Sequence, residues 1–85
     1  MAAKTHKVEI YSTPSCRFCI MAKNFFKENK IKFTDHNVLE NRKDAMEMIE
    51  KTGQQGVPVI VIDNDWDEFI LGFDEPELRR RLKIK

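Results

Sequence analysis

Apolar and polar positions along this chain follow two different periods. Residues 8–12 and 59–62 are short runs rich in β-branched and aromatic side chains, which is typical of strands. Between them, a segment that begins near Cys16 and runs to Asn29 places apolar side chains three and four positions apart, which predicts a helix with one apolar face. That face consists of Phe18, Met21, Ala22, Phe25 and Phe26. We interpret the Phe25–Phe26 pair as part of the core.

The middle of the chain predicts a second strand and a second helix. Ile31 and Phe33 alternate with polar residues, so the strand is expected to run from Ile31 to about Val38. Asn41, with Asp44 three positions later, is a helix-capping arrangement. The predicted inner face of that helix consists of Ala45, Met48 and Ile49. A glycine at position 53 is typical of the residue that follows a helix.

The remainder of the chain predicts a hairpin and a final helix. Four consecutive β-branched residues at 59–62 favour a strand buried on both faces. A turn over residues 63–65 leads to a fourth strand over residues 66–71, which forms a hairpin with the third. The sequence Asp-Glu-Pro-Glu then opens a helix over residues 74–82, since it combines a capping residue with a proline in the first turn.

The resulting order is βαβαββα, which predicts an α/β fold. Alternating strands and helices imply parallel crossovers, and the last two strands add an antiparallel pair. We therefore expect a four-stranded mixed sheet flanked by three helices. The chain has 85 residues, enough for a single domain over residues 1–85 and not for two. Residues 1–7 are polar and are expected to fray.

Charge and hydropathy exclude several classes of function. The net charge of +1 lacks the basic excess that nucleic-acid-binding proteins carry. The basic cluster of Arg79, Arg80, Arg81, Lys83 and Lys85 is interpreted as the solvated last turn of a helix. The first residues contain no apolar signal region, and no apolar run approaches the ~20 residues that span a membrane. We expect a cytoplasmic monomer without nucleic-acid or membrane partners.

Two cysteines, Cys16 and Cys19, form a C-x-x-C motif where a loop becomes the first helix. In a reducing cytoplasm this motif indicates catalysis or metal binding rather than a structural disulfide. Cys16 lies at the predicted helix N-terminus, where unpaired N–H groups and the helix dipole stabilise an anion. Such positions lower the pKa of a cysteine from about 8.5 to about 3.5–7.5, so we expect Cys16 to be a thiolate at neutral pH. Arg17 adds a neighbouring cation, and Cys19 is expected to stay a buried thiol.

These placements give each cysteine a role. Cys16 is expected to attack a substrate disulfide and form a mixed disulfide with it. Cys19 then attacks that intermediate, releases the reduced substrate and leaves a Cys16–Cys19 disulfide. A second donor must afterwards reduce the protein.

Pro58 opens the third predicted strand, where it donates no hydrogen bond to the sheet. A cis Val57–Pro58 bond would leave the Val57 backbone available to an extended substrate. Only about 5–6% of X–Pro bonds in folded proteins are cis, so the residues alone favour a trans proline at a strand start.

Three segments together resemble the glutaredoxin family, which has the thioredoxin fold. They are residues 11–19 (YSTPSCRFC), 56–58 (GVP) and 71–74 (LGFD), and the resemblance extends over residues 8–82. It implies a thiol–disulfide oxidoreductase in which Cys16 is the nucleophile and Cys19 the resolving cysteine. It also implies an electron donor that reduces protein disulfides or glutathione mixed disulfides.

The resemblance further implies a substrate site around the dithiol. Pro58 matches the family's cis-proline that faces the two cysteines, and Val57 matches the residue whose backbone holds the substrate peptide. Gly72, Phe73 and Asp74 fall where glutaredoxins bind the γ-glutamyl end of glutathione. Glutathione is therefore a candidate co-substrate, and no tightly bound cofactor or metal is expected.

Two departures from the family lie near the cysteines. Arg17 and Phe18 stand where glutaredoxins commonly have a Pro-Tyr pair, and both are included in the predicted substrate-binding set. Thr13 stands where many members carry a lysine that contacts the glycyl carboxylate of glutathione.

A third departure lies at Gly72-Phe73, where glutaredoxins typically have a Gly-Gly pair. Phe73 is expected to narrow the groove at the rim of the site. Followed by Pro76, this pair is similar to the NrdH-type redoxins, which take electrons from thioredoxin reductase and serve ribonucleotide reductase. The candidate electron donors are thus glutathione and thioredoxin reductase.

Three other interpretations compete with a catalytic dithiol. A zinc site generally needs four ligands, and His6 and His36 have no matching spacing to the two cysteines. A dimer that shares an iron–sulfur cluster through Cys16 is a family alternative, which the visible spectrum of anaerobically purified protein would distinguish. A structural disulfide is a third alternative, although so short a loop gains little stability from closure.

Overall fold

A computed structural model of the chain describes residues 6–54 and 56–82. The elements are β1 (Val8–Ser12), α1 (Arg17–Glu28), β2 (Phe33–Asn37), α2 (Arg42–Thr52), β3 (Val59–Ile62), a 3₁₀ turn (Trp66–Glu68), β4 (Ile70–Leu71) and α3 (Glu75–Leu82). The sheet order is β2-β1-β3-β4. The predicted four-stranded mixed sheet with three helices is confirmed. No helix in the described ranges is long and apolar enough to cross a membrane.

The direction of β3 differs from the prediction. β1 and β2 are parallel, as a crossover through α1 requires, but β3 runs antiparallel to β1. Tyr11, near the end of β1, pairs with Val59 at the start of β3. The expected second parallel crossover is therefore wrong. A parallel β3 would require α2 and its flanking loops to carry the chain back to the end of the sheet where β1 and β2 begin, and they do not. As a result, β3 begins at the end of the sheet where β1 and β2 finish.

The sheet separates two apolar clusters because side chains alternate in direction along each strand. The cluster beneath α1 and α3 contains Val8, Ile10, Ala22, Phe25, Phe26, Ile60, Ile62, Ile70, Leu78 and Leu82. The cluster beneath α2 contains Tyr11, Met48, Val59 and Val61. All four residues of β3 are consequently buried, as expected for a strand covered on both faces.

The fourth predicted strand is mostly a turn. Residues 66–68 form a 3₁₀ turn, and β4 has only two residues. The Trp66 ring packs against Tyr11, with 5.3 Å between ring centroids, and the Lys51 ammonium lies 5.4 Å from the Trp66 ring. Trp66 therefore covers the cluster beneath α2 instead of extending the sheet. The second strand also begins later than predicted, at Phe33 rather than Ile31.

The helix faces are predicted only in part. In α1, the Phe25–Phe26 pair is buried as expected, but Phe18 is 54% exposed and Met21 is 41% exposed. The predicted α1 face is wrong at these two positions, which lie in the first turns beyond the packed part of the helix. In α2, Met48 is buried whereas Ile49 is exposed.

The predicted ends of α2 are confirmed. The Asn41 side chain accepts a hydrogen bond from the Asp44 backbone N–H at 3.2 Å. Gly53 ends the helix at φ 71°, a left-handed conformation that favours glycine.

The segment 1–7, expected to fray, is described only at His6 and Lys7. Asp63 binds both residues: its Oδ1 accepts the Lys7 backbone N–H at 2.9 Å, and its Oδ2 lies 2.8 Å from His6 Nδ1. These contacts form because the pairing of β1 with β3 places the start of β1 beside the turn after β3. Residues 1–5 lie outside the described residues.

The basic cluster at the end of α3 is paired with acidic groups. Arg79, Arg80 and Arg81 each lie within 4.0 Å of a carboxylate oxygen. The Arg81 side chain is only 14% exposed, so it does not fit the expected solvated turn. Its guanidinium donates to a backbone carbonyl of the 3₁₀ turn and holds α3 against it. Lys83 and Lys85 lie outside the described residues.

Candidate functional site

The strand directions bring three loops to one end of the sheet. In the pairing register, Tyr11 lies opposite Val59, and Val59 lies opposite Leu71. The loop after β1, the loop before β3 and the loop after β4 therefore meet. These loops carry the cysteines, the Val57–Pro58 pair and the Gly72–Asp74 segment, which the sequence assigns to one site.

Cys16 is the N-cap residue of α1. Its backbone is extended, with φ −82° and ψ 116°, and its sulfur accepts a hydrogen bond from the Cys19 backbone N–H at 3.2 Å. Its thiol donates to the Val57 carbonyl oxygen at 3.8 Å. The sulfur thus lies at the N-terminal end of α1, beside the Cys19 N–H. The placement of Cys16 at the helix start follows the prediction.

Cys19 occupies a very different environment, one turn into α1. It is 0% exposed, whereas Cys16 is partly accessible. Burial, together with the hydrogen bond to Cys16, raises the pKa of the Cys19 thiol to about 12. Because the thiolate is the reactive form, the accessible Cys16 is suited to attack an incoming disulfide and Cys19 is held in reserve.

The loop before β3 lies against the dithiol. The Val57–Pro58 bond is cis, as the family resemblance implies. Pro58 is buried, and its carbonyl oxygen accepts the Gly72 N–H at 2.8 Å. Gly72 has φ 84°, a left-handed conformation that L side chains rarely adopt. This hydrogen bond joins the loop after β4 to the cis-proline loop.

An open groove of about 560 Å³ lies beside the dithiol. It is lined by Phe18, Leu71, Gly72, Phe73, Asp74, Glu75 and Pro76. Phe18 and Leu71 are 54% and 46% exposed and supply apolar walls, whereas Asp74 and Glu75 supply acidic groups. The groove thus gathers four of the predicted substrate-binding residues. Arg17 is exposed and is not among the lining residues.

Phe73 and Asp74 have structural roles in addition to their place in the groove. The Phe73 ring packs edge-on against Phe25, with 5.8 Å between centroids, so it contributes to the core beneath α1. One carboxylate oxygen of Asp74 accepts the Glu77 backbone N–H at 3.2 Å and caps α3. The predicted start of the last helix at Asp74 is confirmed.

A polar network behind the dithiol has no counterpart in the sequence predictions. The Ser12 hydroxyl donates to Asp35 Oδ1 at 2.6 Å, and the Lys23 ammonium donates to Asp35 Oδ2 at 2.7 Å. Partial burial disfavours the charged carboxylate, but the hydrogen bonds from Lys23 and Ser12 outweigh it and hold the pKa of Asp35 below its usual range. The available signal in the sequence is the position of Lys23, four residues after Cys19.

His36 lies away from the dithiol, between β1, β2 and α2. Its Nε2 is 2.9 Å from Glu9 Oε1 and its Nδ1 is 3.1 Å from Asp44 Oδ2. The ring stacks on Tyr11, with 4.4 Å between centroids. Partial burial disfavours the imidazolium, but these hydrogen bonds raise the pKa of His36 above its ordinary value. Within residues 6–54 and 56–82, no three His, Cys, Asp or Glu side chains form a metal-binding group.

Comparisons with known proteins identify a relative in sequence and similar solved structures. A glutaredoxin-like protein of 8.6 kDa, encoded in the rubredoxin operon of Clostridium pasteurianum, is 38% identical over 76 residues, covering 89% of this chain and 97% of that protein. A point mutant of the thioredoxin-like protein BC3987 is 26% identical with a TM-score of 0.84, covering 93% of this chain and 97% of that chain.

The glutaredoxin-like NrdH-redoxin from Escherichia coli shares the fold. Its TM-score is 0.74 at 24% identity, covering 89% of this chain and 93% of that chain. Residues 8–66, which include both cysteines and the cis-proline, match the family model described as Glutaredoxin. The chain is a redox protein of thioredoxin-like fold that belongs to the glutaredoxin family.

Proposed function

We propose that this protein is a dithiol electron carrier that reduces protein disulfides through Cys16 and Cys19. The unequal environments of the two cysteines are the observation that carries this proposal. Cys16 is partly accessible at the N-terminus of α1. Cys19 is 0% exposed, and its backbone N–H donates a hydrogen bond to the Cys16 sulfur. An incoming disulfide therefore meets Cys16 first, and Cys19 is held one turn away for the second step.

In this mechanism Cys16 attacks one sulfur of the substrate disulfide and displaces the other as a thiolate. Cys19 then attacks the Cys16 sulfur, and the second substrate thiol leaves. The substrate gains two electrons and two protons, and the protein is oxidised to the Cys16–Cys19 disulfide. The groove beside Phe18 and the backbone of Val57 are proposed to hold the substrate segment that flanks its disulfide.

We propose thioredoxin reductase, rather than glutathione, as the electron donor. Phe73 stands where glutaredoxins typically have the second glycine of a Gly-Gly pair. Its ring packs against Phe25 in the core. Asp74, at the γ-glutamyl position of the family, uses one carboxylate oxygen to cap α3. Thr13 supplies no cation for the glycyl carboxylate. All three differences weaken a glutathione site.

The remaining assignments are also proposals. The carrier is proposed to act as a cytoplasmic monomer without a tightly bound cofactor and without nucleic-acid or membrane partners. Ribonucleotide reductase is the first protein substrate to test, because the Gly72-Phe73 pair is similar to that of the NrdH-type redoxins.

The test compares two NADPH-coupled assays on the oxidised protein. One contains a thioredoxin reductase alone, and the other contains glutathione with glutathione reductase. We expect rapid NADPH oxidation with the thioredoxin reductase and slow oxidation with glutathione. Fast turnover with glutathione alone would contradict the proposed donor.

The assay needs a control for the dithiol itself. Cys16→Ser is expected to abolish turnover in both systems, because it removes the attacking sulfur. Full activity in this variant would refute the proposed role of Cys16. A visible absorption band in anaerobically purified protein, lost in Cys16→Ser, would instead favour an iron–sulfur dimer.

A further inference from the structure

Lys23 lies on the same face of α1 as Cys19. The two residues are four positions apart, so their side chains are neighbours on the helix surface. Long side chains in helices point back toward the N-terminus and cover the preceding turn. The Lys23 side chain therefore extends toward the turn that contains Cys19. The Lys23 side chain is 21% exposed, and its ion pair with Asp35 lies at the surface.

Asp35, on β2, accepts a hydrogen bond from the Lys23 ammonium and fixes its position. Asp35 lies opposite Ile10 in the register of β1 and β2, and Ile10 belongs to the cluster beneath α1. The Asp35 side chain consequently faces α1, where it accepts from Lys23 at 2.7 Å and from Ser12 at 2.6 Å. Ser12 is 1% exposed, which makes it a fixed anchor for the carboxylate.

The attack by Cys19, the second step of the proposed reaction, requires stabilisation of negative charge on the Cys19 sulfur. Cys19 must become a thiolate to attack, yet burial raises the pKa of its thiol. Among the groups that act in the opposite direction are the Thr13 backbone, through a hydrogen bond, and the positive charge of Lys23. Because Cys19 is fully buried, the attraction between this cation and the Cys19 sulfur is screened less than it would be in water.

We infer that Lys23, anchored by Asp35 and Ser12, is a positioning residue for the resolving step, in which its ammonium stabilises the Cys19 thiolate. This inference rests on the proposed function. The Cys19 proton passes to water, a bond forms between the Cys19 and Cys16 sulfurs, and the bond between Cys16 and the substrate sulfur breaks. The released substrate thiolate takes up a proton from water, and Lys23 remains protonated throughout.

The expected size of the effect follows from thiol chemistry. Below its pKa, a thiol loses tenfold in thiolate fraction for each unit by which the pKa rises. Thiolate nucleophilicity recovers part of this loss, with a Brønsted coefficient of about 0.4–0.5. Loss of the Lys23 charge should therefore slow resolution about threefold for each unit, and leave attack by Cys16 unchanged.

The experiment follows the reduced protein with excess 5,5′-dithiobis(2-nitrobenzoate) by stopped flow. Attack by Cys16 releases the first coloured thiolate in a phase that depends on reagent concentration. Resolution by Cys19 releases the second in a phase that does not. The variants are Lys23→Gln and the charge-retaining Lys23→Arg, with Lys27→Gln as the matched control one turn further along α1.

We expect Lys23→Gln to slow the second phase by up to about threefold at neutral pH, and to move its pH profile to higher pH. The first phase should be unchanged in Lys23→Gln. Lys23→Arg should keep the second phase close to the wild-type rate, and Lys27→Gln should match the wild type in both phases. Adding Asp35→Asn to Lys23→Gln should change the second phase no further, since Asp35 acts through Lys23. Circular dichroism checks the fold, and Lys23→Met, which keeps the aliphatic stem, replaces Lys23→Gln if that variant does not fold.

Two results would overturn this inference. One is a second phase in Lys23→Gln with the rate and pH profile of the wild type. The other is an equal slowing of both phases in a folded variant, which would indicate a structural role for Lys23. Failure of the wild type to release a second thiolate would instead contradict the proposed function, because Cys19 would then not resolve the intermediate.

Discussion

The Cys16 sulfur lies 3.8 Å from the Val57 carbonyl oxygen, to which its thiol donates. The two residues are 41 positions apart in the chain and meet because β1 and β3 are neighbours. This contact requires the proton on the Cys16 sulfur, whereas the hydrogen bond from the Cys19 N–H does not. Loss of that proton therefore releases the attacking sulfur from the loop that is proposed to bind substrate, while the helix terminus still supports its charge.

The first prediction concerns the trapped intermediate. Cys19→Ser should leave attack by Cys16 intact and stop the reaction at the mixed disulfide, because no buried sulfur remains to displace the substrate. Intact-mass spectrometry after mixing with a peptide disulfide should show one stable peptide adduct per chain. Release of the peptide at the wild-type rate would show that Cys19 is not the resolving cysteine.

The second prediction concerns the apolar wall of the groove. Phe18 is 54% exposed, so about half of its surface is available to a substrate. Burial of that half would contribute about 1 kcal/mol, and Phe18→Ala should lower kcat/KM for a protein disulfide about fivefold. The free energy of unfolding should change little.

Ile20→Ala is the control for this substitution. Ile20 is 47% exposed on the same helix but does not line the groove. Its truncation should leave kcat/KM unchanged. Equal losses in the two variants would indicate a general effect on α1 and not a substrate contact.

The third prediction restores a missing cation. Thr13→Lys places an ammonium beside Cys16, where many glutaredoxins carry one. An exposed ion pair is worth about 0.2–1 kcal/mol, so the glutathione-coupled rate should rise up to about fivefold. Ser15→Lys, at an exposed position in the same loop, should give a smaller rise. If both substitutions raised the rate equally, overall charge would explain the result.

The fourth prediction concerns backbone conformation. A Cβ at Gly72 would meet no atom within 4 Å, so the cost of Gly72→Ala comes from its φ of 84° alone. That cost is about 1–2 kcal/mol in the free energy of unfolding, measured by urea denaturation. Gly56→Ala should be neutral or slightly stabilising, because Gly56 has no positive φ and its Cβ would have ordinary contact with Leu71. The reverse order of the two variants would contradict this account.

The fifth prediction is a pH dependence of stability that comes from His36. Its pKa is raised in the folded protein by hydrogen bonds to Glu9 and Asp44, against the effect of burial. The stabilisation is fully present below the ordinary histidine value of 6.5, and is lost as pH rises through the raised folded value. The free energy of unfolding should therefore fall across this window in the wild type.

His36→Gln provides the comparison, since glutamine does not titrate. The difference in unfolding free energy between the two proteins should be largest below pH 6.5 and should shrink as pH rises. Urea denaturation in buffers of equal ionic strength measures it. A difference that stays constant with pH would mean that the hydrogen bonds do not depend on protonation.

Local signals in the sequence predict the elements that local chemistry controls. Asn41 and Gly53 mark the ends of α2 because capping needs only neighbouring residues. The buried run at residues 59–62 predicts a central strand, because few other environments accept four β-branched side chains in a row. Cys16 begins α1 as the sequence predicts, since its cap contact involves only Cys19, three residues later.

Tertiary packing accounts for most differences from the sequence predictions. Trp66 has the chemistry of a strand residue, but Tyr11 offers a surface that its ring covers from a 3₁₀ turn. Phe18 fits the period of the α1 apolar face, yet it lies over the groove. The pairing of Lys23 with Asp35 joins α1 to β2, and the spacing of Lys23 from Cys19 does not identify Asp35 as its partner.

The order β2-β1-β3-β4 leaves two strands at the margins of the sheet, and their composition affects how copies of the protein meet. Unpaired strand edges are templates for intermolecular pairing, which charged side chains and short lengths discourage. β2 carries Asp35 and His36 and is preceded by Lys32, whereas β4 has only two residues. Neither margin offers a long apolar ladder, so the fold resists the edge-to-edge aggregation to which exposed sheets are prone.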